Sequence, residues 1–206
     1  MKKILTTLLA ASLMLLGTQA FAQASINAGY LNSTLSSPNE DPFNSNGLYA
    51  GFTYNLPLVG ELGVAPGLYY SVISSKGFES WMGLASASGK FTEHAINVPL
   101  YLNYGFDFGR DTRFFIFAGP TARYGLASRV KLDVNTVIGS GSQTTNNYDN
   151  EHYNRFNVYL GGGIGFTAGP IQVTVGYDYG MLNQYKGDNQ PVAHRSNLKI
   201  GAGFAF

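Results

Sequence analysis

Three histidines, two glycine-rich stretches and a pair of opposite charges are the parts of this 206-residue chain whose types could do chemistry. His94, His152 and His194 could move protons or hold a metal. All three fall near the ends of candidate strands, where a solvated or loop-bonded imidazole is the ordinary case, and no cysteine is present to complete a thiolate site. The expectation is therefore no metal, no cofactor and no enzyme. Gly161-Gly162-Gly163-Ile164-Gly165 lacks the spacing and the following helix of a dinucleotide fingerprint, and residues 83–90 lack the spacing and the Ser or Thr of a phosphate loop. Asp178 and Lys199 remain. They occupy the same face of neighbouring candidate strands, and pairing Ile171 with Phe206 would set Asp178 opposite Lys199 as an internal ion pair that holds register.

The elements that position these residues read as eight strands, at 24–32, 47–55, 61–73, 91–106, 112–124, 153–167, 170–182 and 194–206. Alternation is clearest near the C-terminus. Leu198, Ile200, Ala202, Phe204 and Phe206 point one way, and Lys199, Gly201, Gly203 and Ala205 the other. Ile171, Val173, Val175, Tyr177 and Tyr179 likewise oppose Gln172, Thr174, Gly176, Asp178 and Gly180, and Ile96, Val98, Leu100 and Leu102 oppose Asn97, Pro99, Tyr101 and Asn103. The second face is too small to be the exterior of a soluble barrel. Small residues suit an interior, and an apolar exterior suits lipid. The connections alternate between long (33–46, 74–90, 125–152, 183–193) and short (56–60, 107–111, 168–169), which is the pattern of outer loops and periplasmic turns.

Composition agrees. Charged residues are 12 %, about half the usual share for a soluble domain, while aromatics are 14 % and glycines number 26. Residues 1–22 carry Lys2 and Lys3, an apolar run and Ala20-Phe21-Ala22, the three parts of a cleaved signal peptide, so the barrel domain is expected at 23–206. Without Lys2 and Lys3 the 13 basic side chains fall to 11 against 12 acidic ones, a balance that gives no footprint for nucleic acid. The fold expected is all-β: an eight-stranded antiparallel, transmembrane, up-and-down β-barrel in the outer membrane. Its interior would be just wide enough for side chains to fill, which argues against an open pore.

Ala95-Ile96-Asn97-Val98-Pro99-Leu100-Tyr101-Leu102-Asn103-Tyr104 and Phe117-Ala118-Gly119-Pro120 resemble the outer-membrane β-barrel domain family common in Bacteroidetes, the porin-like or PorT-like group. The resemblance implies partners in outer-membrane lipid, lipopolysaccharide and the barrel insertion machinery, and either a surface ligand or a partner in protein secretion. By resemblance to other barrels, Phe206 looks like the insertion signal, and a His at the outer rim could serve a lipid A-modifying enzyme. Pro99 and Pro120 each forfeit a ladder donor, so a bulge is expected at each. Phe78, Trp81 and Met82 stand out as apolar residues of a predicted outer loop and are candidate contacts for a partner. Val130, Leu132 and Val134 alternate with Arg129, Lys131 and Asp133, so the fifth strand is expected to continue as a protruding hairpin with an edge open to strand addition. The leading functional expectation is a non-enzymatic surface barrel that displays loops for adhesion or binding.

Overall fold

The computed structural model describes residues 23–206 except 39–40, 83–84, 110, 137–138, 150–152 and 187–191; for 23, 77–82, 85–87, 135–136 and 139 it describes the backbone alone. The expected signal peptide, 1–22, lies outside the described residues.

The strands are β1 (Gln23–Ser36), β2 (Phe43–Val59), β3 (Leu62–Met82), β4 (Ala85–Asp107), β5 (Thr112–Thr136), β6 (Gly139–Asn146), β7 (Phe156–Ala168), β8 (Ile171–Gly180) and β9 (His194–Ala205). Eight of them pair in sequence order, with β5 passing directly to β7, and β9 pairs with β1 to close the ring. Among the described residues no helix is long and apolar enough to cross a membrane. Strands do the crossing. Closure leaves the membrane-embedded part without an edge, so every ladder group can be satisfied in a medium that offers no water.

The alternation of the sequence becomes the two sides of the wall. Ile26, Leu48 and Leu160 are 59 %, 63 % and 56 % exposed on the outside, whereas Ser25, Asn27, Ser71, Thr121 and Asn157 are buried inside. That is the reverse of a soluble protein, and it is what a lipid solvent selects. Tyr30, Tyr70, Tyr124 and Tyr179 lie outward near one end of the wall, and Tyr104, Phe106 and Phe166 near the other, as interfacial rings. The three short turns each hold a glycine in the left-handed region, Gly60 (φ 57), Gly109 (φ 92) and Gly169 (φ 57), where a side chain would be strained.

Three expectations need correction. The predicted loop at 74–90 is strand: β3 and β4 stay paired from Ser74↔Thr92 to Met82↔Ala85, so Phe78, Trp81 and Met82 belong to a paired strand, with their side chains outside the description. Polar Ser, Thr and Lys residues there keep the ladder through cross-strand partners, which an apolar alternation cannot reveal. Next, no bulge occurs at Pro99 or Pro120. The register is the same on both sides of each proline, while the pairing itself lapses beside them, from Pro66↔Leu100 to Tyr69↔Asn97 and from Pro99↔Thr121 to Leu102↔Ala118; the register shifts lie at Pro57/Val59, Lys76/Phe78 and His94/Ala95. The ring of Pro99 packs inward, where Gly67 leaves space for it. Finally, the β8–β9 register differs by two residues: Ile171 pairs with Phe204, and Lys199 sits opposite Gly176. Strand β6 is additional to the eight expected segments and pairs with the outer end of β5, where a protruding hairpin was expected.

Candidate functional site

Inward parity on β4, β5 and β9 delivers Glu93, Arg123 and Arg195 to one level of the lumen, all three buried. Arg123 Nη2 lies 2.8 Å from Glu93 Oε1, and Arg195 Nη2 lies 3.1 Å from Oε2. Arg123 also donates to the Tyr159 hydroxyl at 3.3 Å, and Arg195 to Ser33 Oγ at 3.3 Å. One carboxylate thus joins β4 to β5 and, across the lumen, to β9. Sequence reading missed this cluster. The available signal was three charged residues on the face otherwise reserved for small ones.

The outer connections close over it. A 3₁₀ turn, Asn147–Asp149, aims Tyr148 inward so that its hydroxyl donates to Glu93 Oε1 at 2.7 Å, and its ring occupies the space that a Cβ on Gly125 would need. Tyr153 accepts from Arg195 at 3.3 Å. Asn154 and Gln184 bond reciprocally through backbone and side chain at 2.8 Å, stitching the connection before β7 to the one after β8. The Arg155 guanidinium covers the Tyr148 ring at 5.2 Å and donates to its carbonyl at 2.9 Å. Burial first, then the Glu93 charge and hydrogen bond, raise the Tyr148 phenol well above its ordinary value; burial pushes Tyr153 up to about 12. Both hydroxyls are held as donors or neutral acceptors over a charged floor.

Below the cluster lies a cavity of about 150 Å³ lined by Tyr49, Tyr69, Tyr101, Phe117, Asp178 and Lys199 among others. Asp178 and Lys199 meet there, Oδ2 to Nζ at 2.5 Å, on a diagonal rather than directly opposite. Lys199 also donates to the Tyr101 hydroxyl at 2.9 Å, a second tie from β9 across to β4. Gly161 makes room for this pair, because a Cβ there would collide with the Asp178 carboxylate. At the opposite mouth Arg113 lies 3.3 Å from both Glu61 and Asp107.

The remaining singled-out residues lie apart from this network. His94 Nδ1 is 2.6 Å from the Tyr70 hydroxyl, and His194 Nδ1 is 3.0 Å from the Gly180 carbonyl while its ring stacks on Tyr179. His94 and His194 thus bond to a tyrosine hydroxyl and a backbone carbonyl, and His152 lies outside the described residues. Phe206 follows β9, donates its N–H to the Ala24 carbonyl at 2.8 Å and packs edge-on against Phe204.

Above the capped mouth, β3, β4, β5 and β6 continue as a four-stranded antiparallel sheet, from the Ser74–Thr92 and Arg129–Asn146 pairs outward. Among the described residues β6 pairs with β5 alone, and residues 140–145 are all exposed. Among the described residues this is one open edge of the sheet; the other is the outer part of β3, which pairs with β2 only as far as Ser74.

The model of the outer membrane protein beta-barrel domain family matches residues 18–185. No curated protein matches the chain by sequence. Ail, the attachment invasion locus protein of Yersinia pestis, solved with the heparin analogue sucrose octasulfate, is similar in structure with a TM-score of 0.51 at 15 % identity, over 90 % of this chain and 99 % of that one. Neisserial surface protein A has a TM-score of 0.47 at 14 % identity over 89 % and 97 %. The outer membrane enzyme PagL has 0.45 at 12 % over 85 % and 98 %. At this identity the likeness to Ail speaks to fold alone.

Proposed function

Because the chain belongs to the outer membrane protein beta-barrel domain family, we propose that it is a non-enzymatic surface barrel that binds partners through the sheet β3 to β6 raise above the membrane. The observation that carries this reading is the edge of β6. It presents Ser140 to Thr145 with no charge and no proline, and among the described residues it has no second neighbour, so it lacks the devices that usually blunt an edge strand. An extended segment of a partner could add to it through backbone hydrogen bonds. The capped and tied lumen supports a role in display over one in diffusion. The attachment of His94 and His194 to a tyrosine and a carbonyl supports a role without catalysis. Ala95 to Tyr104 and Phe117 to Pro120 support placing the chain among the PorT-like barrels of Bacteroidetes. For delivery we propose residues 1–22 as a cleaved leader and Phe206 as the signal read by the insertion machinery.

Replacing residues 131–144 with an Asn-Gly turn, flanked by the directly paired Val130 and Thr145, removes most of β6 and the outer end of β5. Cells displaying the shortened protein are expected to lose adhesion to matrix-coated surfaces while the barrel still runs as a fast, unboiled band. Undiminished adhesion by the shortened protein overturns the proposal.

A further inference from the structure

A second cavity, of about 210 Å³, lies at the outer mouth between the β1–β2 connection and the cap. Part of its lining is aromatic: Phe43 and Phe91 meet edge-on with ring centroids 5.7 Å apart, and Tyr185 meets Tyr153 edge-on at 5.6 Å. The rest is polar, with bonding capacity that the fold leaves unused. Arg195 is only 2 % exposed; its Nη atoms serve Ser33, Tyr153 and Glu93, while Nε is buried with no hydrogen-bond partner among the described residues. Ser37 Oγ is buried in the same condition. The Tyr153 hydroxyl accepts from Arg195 and keeps its own proton to donate, and Asn147 donates to Ser128 Oγ at 3.1 Å and keeps its carbonyl oxygen to accept. Asp41, exposed at the rim, offers a carboxylate that bonds to none of the described residues. Charge is uneven as well, since the cluster beneath sets two guanidiniums, Arg123 and Arg195, against the single Glu93 carboxylate.

A buried donor without an acceptor is costly, and native folds keep few of them. Here two belong to residues that border one cavity. A single water needs about 10–15 Å³ of such space, so this cavity has room for a ring-sized organic molecule. Its lining states what that molecule carries. The excess guanidinium charge and the Tyr153 hydroxyl call for a carboxylate, the pairing in which hydrogen bonds are strongest. Asp41 and the Asn147 carbonyl call for hydroxyl donors, and the electron-rich faces of aromatic rings suit the C–H groups of a saturated ring. We propose that the cavity binds an acidic monosaccharide unit of the hexuronic type. Its carboxylate meets Arg195 and Tyr153 at the floor, and its hydroxyls meet Asp41 and Asn147 at the rim. Bound there, the sugar ties the β1–β2 connection to the cap. The site lies apart from the β6 edge and is independent of what that edge binds.

The test titrates the refolded full barrel in detergent micelles with D-glucuronate and D-galacturonate, and with D-glucose, acetate and 4-aminobutyrate for comparison, read by saturation-transfer NMR on the small molecule. At least one hexuronate is expected to bind saturably, and to protect residues 147–155 from protease. Glucose and acetate, each holding half of the recognised chemistry, should bind at least roughly tenfold more weakly, the usual consequence of losing a charge-assisted hydrogen bond. Asp41→Ala and Tyr153→Phe should each weaken the hexuronate by a similar factor while the unboiled band still runs fast. Asp133→Asn, on the protruding sheet, should bind like the wild type. No saturable binding of either hexuronate overturns the site and leaves the cavity to water. Glucose or acetate binding as tightly as the hexuronate, or an Asp41→Ala variant that binds it undiminished, also overturns the proposal. Tighter, Asp41-dependent binding of 4-aminobutyrate overturns it too, by assigning the cavity to a zwitterion.

Discussion

Glu93 is shared by two guanidiniums in a place where neither can reach bulk water, so its charge sustains two others. Removing one partner of a buried ion cluster leaves an uncompensated charge and typically costs about 3–5 kcal/mol, whereas removing both partners can be nearly neutral. Glu93→Gln is therefore expected to lower the thermal midpoint of the unboiled band sharply. Glu93→Gln combined with Arg195→Met should recover a good part of the loss. A double variant as unstable as the single one would show that the residues are not coupled. The cluster was partly legible: Glu93 shares parity with Asn97, Arg123 with Thr121, and Arg195 with Lys199. Which charge meets which was not legible, because β4 and β9 face each other only across the closed ring.

At the scale of elements, the connections before β7 and after β8 form a cap because two tyrosines carry their hydroxyls to the charged floor. The pKa of Tyr153 is raised from 10.0 to about 12 by burial, so its neutral form is favoured while the cap is closed. Its contribution to closure is fully present below pH 10.0 and is lost as pH rises through about 12. Protease cleavage at residues 147–155 is expected to set in as pH rises through about 12. Cleavage that already sets in near pH 10.0 would mean that the cap is not held by the Tyr153 hydroxyl. The protruding strands make a related point. Val130, Leu132 and Val134 announced the extension of β5, while the outer parts of β3 and β4 carry no such alternation and are held in strand form by their neighbours.

For the whole molecule, eight strands set a diameter that side chains can fill, and this chain fills it at several levels: Arg113 at one mouth, the Lys199–Asp178–Tyr101 group, and the Glu93 cluster beneath its cap. The protein is expected in the outer-membrane fraction as a heat-modifiable band, and in planar bilayers it should give no steady open channel. A stable open state of the wild type would contradict the filled lumen. On the proposed function, binding belongs to the outside of the barrel, at the β6 edge, through backbone hydrogen bonds.

Alternation with a period of two determined the all-β class, the inside-out polarity and the short glycine turns, because each depends only on which face a residue takes within its own strand. Asp178 and Lys199 were recognisable as inward charges for the same reason. Tertiary structure decided the rest. The β8–β9 register is shifted by two residues from the one that would have set Asp178 opposite Lys199, yet the side chains still meet, since a lysine can span a diagonal. The meeting of Glu93, Arg123 and Arg195 and the cap above them are products of register and closure. Those are relations between distant strands, set by the whole ring together and absent from any single segment.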